Sequence, residues 1–431
     1  MPALTAADLS HDRDFARALD AGDELAGFRE RFHIPSPHAE TVYFVGNSLG
    51  PMPRAARDLV LEELGDWERL GVAGHFAAHR PWFSYHEHAR GALARLVGAR
   101  EHEVVAMNTL TVNLHLMLTT FYRPEGRRTK LVVEKGAFPS DTYAVMTHVA
   151  ARGLDPAVEV IELAPRAGEW TLREEDIEAE FARLGDTLAL AMLPGVQYRT
   201  GQALDIARLT RAAHAVGARC GWDLAHAAGN LHLSLHDSNC DFAVWCSYKY
   251  LNSGPGAVAG AFVHERHAQD LALPRHGGWW GNDPQTRFRM EPRFVPVAHA
   301  DAWSLSNPPI LSTAPLLASL ELFDAAGMAR LRAKSEHLTA LLEFRLRGIP
   351  GLEIITPSSG SARGAQLSLG IARDSKARYE ALKAAGLMCD HRESGRGIEG
   401  EGIVRLAPAP LFNTFDEVWR AAEIVRRVLG S

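Results

Sequence analysis

The spacing of apolar positions along the chain changes twice. In "AARDLVLEELGDWERLG", residues 55–71, Ala56, Leu59, Val60, Leu64 and Trp67 recur at helical spacing. That pattern predicts an amphipathic helix. From about 104 to 265, short apolar runs alternate with helical stretches such as "REEDIEAEFARLG" and "DIARLTRAAHAVG". The runs are "KLVVE" (130–134), "VEVIEL" (158–163), "TLALAMLP" (187–194), "ARCGWD" (218–223), "DFAVWC" (241–246) and "AVAGAFV" (257–263). Runs apolar throughout suit strands covered on both faces. Their alternation with helices predicts an α/β fold with a mostly parallel sheet and right-handed crossovers. After about 310 a long helical region, "TAPLLASLELFDAAGMARLRAKSEHLTALLEFRLRG", precedes strand-like pieces "AQLSLGIA" and "GIVRLAPA". These predict a smaller C-terminal α+β domain. The expected division is an N-terminal segment (1–55) packed with the small domain, a large domain (56–310) and the small domain (311–431).

Composition adds few surprises. The chain has 431 residues, 46% hydrophobic and 23% charged, with a formal net charge of −6. That is enough apolar material for a sizeable core. No basic patch stands out, so nucleic acid is not an expected partner. No apolar run approaches the ~20 residues needed to span a bilayer, so no membrane association is expected. "MPALTAADLSHDRDFARALD" lacks an apolar stretch of signal-peptide length. Cys220, Cys240, Cys246 and Cys389 form no CxxC pair, which fits reduced thiols and a cytoplasmic protein.

In open α/β sheets, ligands gather beyond the carboxyl ends of the strands. Asp223 closes "ARCGWD", with His226 three residues on. Lys249 follows "DFAVWC" between two tyrosines, and a lysine is seldom buried without a partner or a task. Asp141 lies in "FPSD" after the run 130–134, and Asn108, Thr109 and Thr111 lie at a predicted helix start. A lysine amine forms Schiff bases, a carboxylate keeps a pyridine nitrogen protonated, and a helix start holds a phosphate. Pyridoxal 5′-phosphate uses all three. Taken singly, each residue has a plainer reading: a solvated lysine, a turn-forming aspartate, an ordinary helix cap. The "HEH" at 86–88 reads as a wet helix face, no metal is expected, and no strand runs into GxGxxG.

The segments "FVGNSLGPMP", "RPWF", "NTLTVNLH", "FPSD", "GVQYRTGQ", "DLAHAAGN", "CSYKYLNSGPG", "GWWG", "LSNPPI" and "VRLAPAPLFNT" occur in that order from about residue 25 onward. Together they resemble the kynureninase family, within the aminotransferase-like fold type I enzymes that use pyridoxal phosphate. The resemblance implies a PLP-dependent transferase fold type I and a homodimer with shared active sites. It implies that Lys249 carries the cofactor as an imine and that Asp223 pairs with its ring nitrogen. His226 would lie beside the cofactor, Phe138 would stack on it with Asp141 nearby, and Leu110, Thr111 and Tyr248 would surround the phosphate. Trp279 and Asn307 match further cofactor positions, part of the set coming from the other subunit. Ser48, His75, Ser306, Asn307 and Arg405 would meet the substrate, Arg405 by gripping its α-carboxylate. His75 with Ser306 and Asn307 looks like the set that prefers 3-hydroxykynurenine. Pro194 departs from relatives that have serine there, which removes a hydroxyl from the cofactor's surroundings.

The implied reaction is hydrolysis of a carbon–carbon bond in a ketonic amino acid. L-Kynurenine or its 3-hydroxy form would give anthranilate or 3-hydroxyanthranilate plus L-alanine, with Lys249 as base and Tyr248 as a proton donor. Two rivals remain open at this point. A cysteine desulfurase would need a reactive thiol in the small domain, for which Cys389 in "GLMCDHRES" is the candidate. A non-catalytic binding protein on the same fold would be expected to lose Lys249, Asp223 or Arg405.

Overall fold

The computed structural model describes residues 9–37 and 40–430. Residues 1–8, part of the N-terminal stretch discussed above, lie outside the described set. Helix α1 (Arg13–Ala21) opens the described chain, followed by α2 (Arg54–Leu70) and α3 (Glu87–Val97). Seven strands then form the main sheet: β1 (Val104–Ala106), β2 (Lys130–Glu134), β3 (Val160–Leu163), β4 (Leu188–Pro194), β5 (Arg219–Asp223), β6 (Phe242–Trp245) and β7 (Gly260–Val263). Helices α4 (Leu110–Phe121), α5 (Pro139–Ala151), α6 (Glu174–Leu184) and α7 (Ile206–Ala215) are threaded between them.

The strand order is β1-β7-β6-β5-β4-β2-β3. Strands β2 to β6 pair in parallel, and β7 runs antiparallel to both β6 and β1. The chain steps outward from β2 to β3, then crosses back to β4. That reversal creates a switch point beside β2 and β4, where α/β sheets open a crevice for ligands. The apolar runs are explained by cover on both faces. Val132, Ala191, Leu193 and Trp222 belong to one hydrophobic cluster, and Leu131, Val133, Leu190, Met192 and Val244 to another. Gly221 has a packing reason: a Cβ there would fall 2.0 Å from the Phe242 ring.

The helical region after 310 is two helices, α8 (Ile310–Ala326) and α9 (Met328–Leu346), bent by 83° at Gly327. Among the described residues no single helix is long and apolar enough to cross a membrane. Leu316, Leu320 and Phe323 of α8 share a cluster with the main sheet, whereas Leu338, Leu341 and Leu342 of α9 sit in a third. That third cluster holds the antiparallel sheet β8 (Leu352–Ile354), β9 (Leu367–Ile371), β10 (Asp390–Glu393) and β11 (Gly402–Leu406), in order β8-β9-β11-β10. Helices α10 (Ser375–Ala384) and α11 (Phe415–Leu429) complete it. The N-terminal segment packs there too. Val42–Tyr43 pairs with Leu387–Met388, Arg13 bridges to Asp416, and Asp20 accepts the backbone N–H groups of Phe415 and Asp416.

Two local expectations are corrected. In α2 the polar and apolar positions exchange roles: Glu63 and Asp66 are buried while Leu64 and Trp67 are exposed, Trp67 by 61%. The carboxylates are inside because they bind the loop that follows the helix. Asp66 accepts from the backbone of His79 and Glu63 from the Trp82 indole. His86 of the "HEH" stretch is likewise buried, 3.3 Å from Asp301 and receiving the Trp280 indole N–H.

At the far end of the main sheet, buried Asp241 ties three elements together. It accepts from the Cys220 amide, from His214 on α7, and from Arg266 and His267 beyond β7. These partners hold its carboxyl well below the usual carboxylate range, against the opposing effect of burial. A depressed carboxylate contributes stability above its unfolded pKa of about 4, and loses it as pH falls through the folded value. Asp241→Asn should therefore cost about 3 kcal/mol at pH 7. In thermal melts the gap to the parent protein should narrow steadily below about pH 4.

Candidate active site

The carboxyl ends of β2, β4 and β5 wall a cavity. Its lining includes Leu110, Thr111, Glu134, Phe138, Asp141, Pro194, Tyr198, Asp223, His226, Tyr248 and Lys249. Each arrives by a local rule. Glu134, Pro194 and Asp223 are the last residues of their strands. Lys249 stands four residues beyond the end of β6, and Leu110 and Thr111 open α4. Phe138 and Asp141 lie at the start of α5. A larger groove, about 640 Å³, opens elsewhere among Glu174, Asp205, Arg208 and His232, but no lysine lines it. The chemistry, not the volume, distinguishes the first cavity.

The charges in the cavity interlock. Lys249 Nζ lies 3.0 Å from His226 Nε2 and 5.7 Å from the centre of the Phe138 ring. Burial, with the positive charges of Lys249, Arg405 and Arg392, holds the His226 pKa well below its ordinary value. A neutral His226 accepts the Lys249 N–H at Nε2, so its own proton sits on Nδ1. That Nδ1 is buried and has no partner within the protein. Burial pushes Glu134 up to about 8, with Asp223 adding to the effect. Asp141 is driven well above the usual range by burial and by its bond to Asp223, while Lys249 opposes. Asp141 thus holds a proton to donate toward Asp223. Asp223 Oδ1 also accepts the Ala225 amide at 2.8 Å, which fixes its direction. Burial and neighbouring Cys246 raise the Tyr248 hydroxyl, which stays a phenol at neutral pH.

The residues fit pyridoxal phosphate on the structure's own terms. The start of α4 has no side-chain cap, so the first-turn N–H groups remain to be satisfied, beside the Thr111 hydroxyl. One amine, the Asp223 carboxyl and one orphaned buried donor face the same space. A buried donor without a partner costs roughly 1–3 kcal/mol, which points to a group the chain itself does not supply.

Arg405 is close by but does not line the cavity. It sits in β11 with 1% exposure, between Ser368 of β9 and Asp390 of β10. Its guanidinium donates to the Tyr198 carbonyl at 2.7 Å and pairs with Asp390, and its Nε has no partner. The Tyr198 ring touches both sites, 5.3 Å from Phe138 and 6.0 Å from the Arg405 guanidinium carbon. Ser48 lies in a turn backed against the site, where the Gly50 amide donates to the Tyr248 carbonyl.

The structure does not bring the other predicted residues to Lys249. Trp279 is half-exposed in an aromatic patch with Phe288 and Trp280. Ser306 and Asn307 are exposed, Asn307 lining a separate hollow with Asn108 and Trp280. His75 is on the loop after α2, bonded through Nδ1 to the Val72 carbonyl. Sequence reasoning missed Glu134, Tyr198 and Asp390. Glu134 obeys the same strand-end rule as Asp223 and was findable. Asp390 meets Arg405 only through antiparallel register, which leaves no local signal.

Cys389, the alternative nucleophile, is buried in the small-sheet core, and burial pushes its thiol up to about 12. Solved structures with this fold include the cystine C-S lyase C-DES in complex with cysteine persulfide (TM-score 0.73, 19% identity, covering 89% of this chain and 98% of that one). They also include the cysteine desulfurase CsdA from Escherichia coli (TM-score 0.75, 18% identity, covering 94% and 98%). At such identities the likeness concerns the fold alone, fold type I. The model of the kynureninase C-terminal domain matches residues 331–425. A kynureninase from Myxococcus xanthus is 55% identical over 94% of this chain and 95% of its own length. One from Xanthomonas campestris pv. campestris is 51% identical over 96% and 97%. With identity of that order running almost end to end, the chain belongs to the kynureninase family of fold type I pyridoxal phosphate enzymes.

Proposed function

We propose that the protein hydrolyses the Cβ–Cγ bond of L-kynurenine and 3-hydroxy-L-kynurenine, preferring the 3-hydroxy form. The products are 3-hydroxyanthranilate or anthranilate and L-alanine. The observation that carries this reading is the Lys249 amine held against neutral His226 in one cavity with Asp223. Near end-to-end identity with proteins named kynureninase supports the choice of substrate.

Pyridoxal phosphate, when bound, supplies a ring that withdraws electrons from the carbon bearing the substrate amine. Lys249 would hold the cofactor at rest, and Asp223 would keep its ring nitrogen protonated. The first turn of α4, with Thr111 and Tyr248, would hold the phosphate, and Phe138 would lie against the ring. His226 would turn its free Nδ1–H toward the cofactor. The Lys249 amine, facing the cavity, would take the proton from the substrate Cα. Tyr248, kept as a phenol, donates a proton on the leaving side. Arg405 binds the α-carboxylate with the donors that Tyr198 and Asp390 leave free.

The reading includes a homodimer. Leu61, Leu64, Trp67, Val72, Phe76 and Phe288 are exposed apolar side chains, Phe76 and Phe288 both stacking on Phe83 and Phe288 meeting Trp279. A second copy covering them would bring His75, Trp279, Ser306 and Asn307 to its partner's cavity. The division into an N-terminal segment (1–55), a large unit (56–310) and a smaller C-terminal unit (311–431) belongs to the same proposal, supported by the separate antiparallel sheet and its own hydrophobic cluster. So does a cytoplasmic location, which the four free cysteines favour.

Turnover of both kynurenines, read by product fluorescence, tests the assignment. Lys249→Ala should abolish it together with the visible cofactor absorbance, and retained turnover would overturn the role given to Lys249. Asp223→Asn should fold normally yet lose at least about a hundredfold in kcat. The thiols separate this activity from desulfuration. All four are buried, so a native thiol titration should find none reactive within minutes and all four after denaturation. Persulfide formed on Cys389 with cysteine as substrate would favour the rival chemistry.

A further inference from the structure

The buried acids of α2 need a reason. Glu63 has 1% exposure and Asp66 5%, and carboxylates are seldom taken that far from water without a task. Both are committed to the loop that carries His75. Asp66 accepts the His79 amide at 2.6 Å and pairs with Arg69. Glu63 Oε2 accepts the indole N–H of Trp82 at 2.8 Å, and Glu62 receives Arg80 at 3.0 Å. So the acidic side of the helix fixes residues 79–82, and above all the plane of the Trp82 ring.

That ring in turn underlies the short helix Gly74–Ala77. His75 meets it edge-on at 5.5 Å between ring centres. Gly74 lies so close that a Cβ would sit 2.4 Å from the indole edge, although its φ of −58° is one any residue adopts. The glycine is therefore required by the ring and not by the backbone. Backbone and side chain of the Gly74–His75 pair both rest on a surface whose angle is set by Glu63.

We propose that Trp82, held by Glu63, is a positioning residue that aims His75 and so sets the preference for the 3-hydroxy substrate. The inference rests on the reading of His75 as a contact to the substrate ring. Within one chain neither Trp82 nor Glu63 lines the Lys249 cavity, and the contact on the page that joins Trp82 to a predicted substrate residue is the one to His75. A phenolic hydroxyl is discriminated by a donor or acceptor at fixed distance, and a shift of the imidazole leaves that contact unmade.

The test compares kcat/KM for 3-hydroxykynurenine and kynurenine in the holoenzyme. Trp82→Phe removes the bond to Glu63 and shrinks the surface under His75. It should lower the 3-hydroxy to kynurenine ratio about tenfold, a loss typical of a displaced polar contact, while kynurenine turnover stays within about twofold. Gly74→Ala leaves the Glu63 bond in place but wedges the loop off the ring, and should lower the ratio the same way. Glu63→Gln keeps an acceptor for the indole and should retain the parental ratio. His75→Phe separates the two layers of the argument. If it lowers the ratio while Trp82→Phe and Gly74→Ala do not, Trp82 is only packing and the proposal fails. If none of the variants moves the ratio, the substrate contact assigned to His75 is itself wrong.

Discussion

Desolvation at the carboxyl ends of β2, β4 and β5 decides which groups in the cavity carry charge. Three carboxyls, Glu134, Asp141 and Asp223, share a space with one lysine and one histidine. In water all three acids would ionise, and the histidine would be partly charged. Here burial shifts Glu134 and Asp141 toward their neutral forms and keeps His226 unprotonated. Asp223 is oriented by a backbone amide and by its bond to Asp141. A ring nitrogen that must stay protonated needs a single, well-placed anion rather than a diffuse negative field. Fixed in direction by its two hydrogen bonds, Asp223 is the carboxyl placed for that part.

Topology puts those groups together. The chain reverses direction across the sheet between β3 and β4, so the ends of β2 and β4 become neighbours with open space above them. Uncapped starts of α4 and α5 face that space, each where a helix needs partners for its first N–H groups. The small antiparallel sheet then brings Arg405 to the edge of the cavity, oriented by Asp390 and by the Tyr198 carbonyl. Tyr198 is the physical link between the two units. Its ring contacts Phe138 on one side and Arg405 on the other, and its neighbour Arg199 reaches the carbonyls of Gly136 and Ser394.

Much of this was legible from residue order. Strands covered on both faces announce themselves as unbroken apolar runs, and Asp223 and Lys249 follow from inspecting where those runs end. What was not legible has two physical causes. The α2 helix was misread in detail because periodicity counts apolar residues and cannot see a hydrogen-bonded loop that draws Glu63 and Asp66 inward. The Arg405–Asp390 pair and the bend at Gly327 depend on register and crossing geometry, which side-chain spacing does not encode. His75, Trp279, Ser306 and Asn307 form a third case. The sequence marked them through family resemblance, while within one chain none of them lines the Lys249 cavity.

The account stands on one amine. Lys130, Lys135, Lys334, Lys376 and Lys383 all lie outside the cavity, and Lys334 is spent on Asp23 at 2.7 Å. Borohydride reduction of the purified holoenzyme, followed by peptide mapping, identifies the amine to which the cofactor is joined. The account predicts a pyridoxyl phosphate adduct on the peptide containing Lys249 and on no other. An adduct on a different lysine, or a coloured protein that reduction leaves unlabelled, would contradict it.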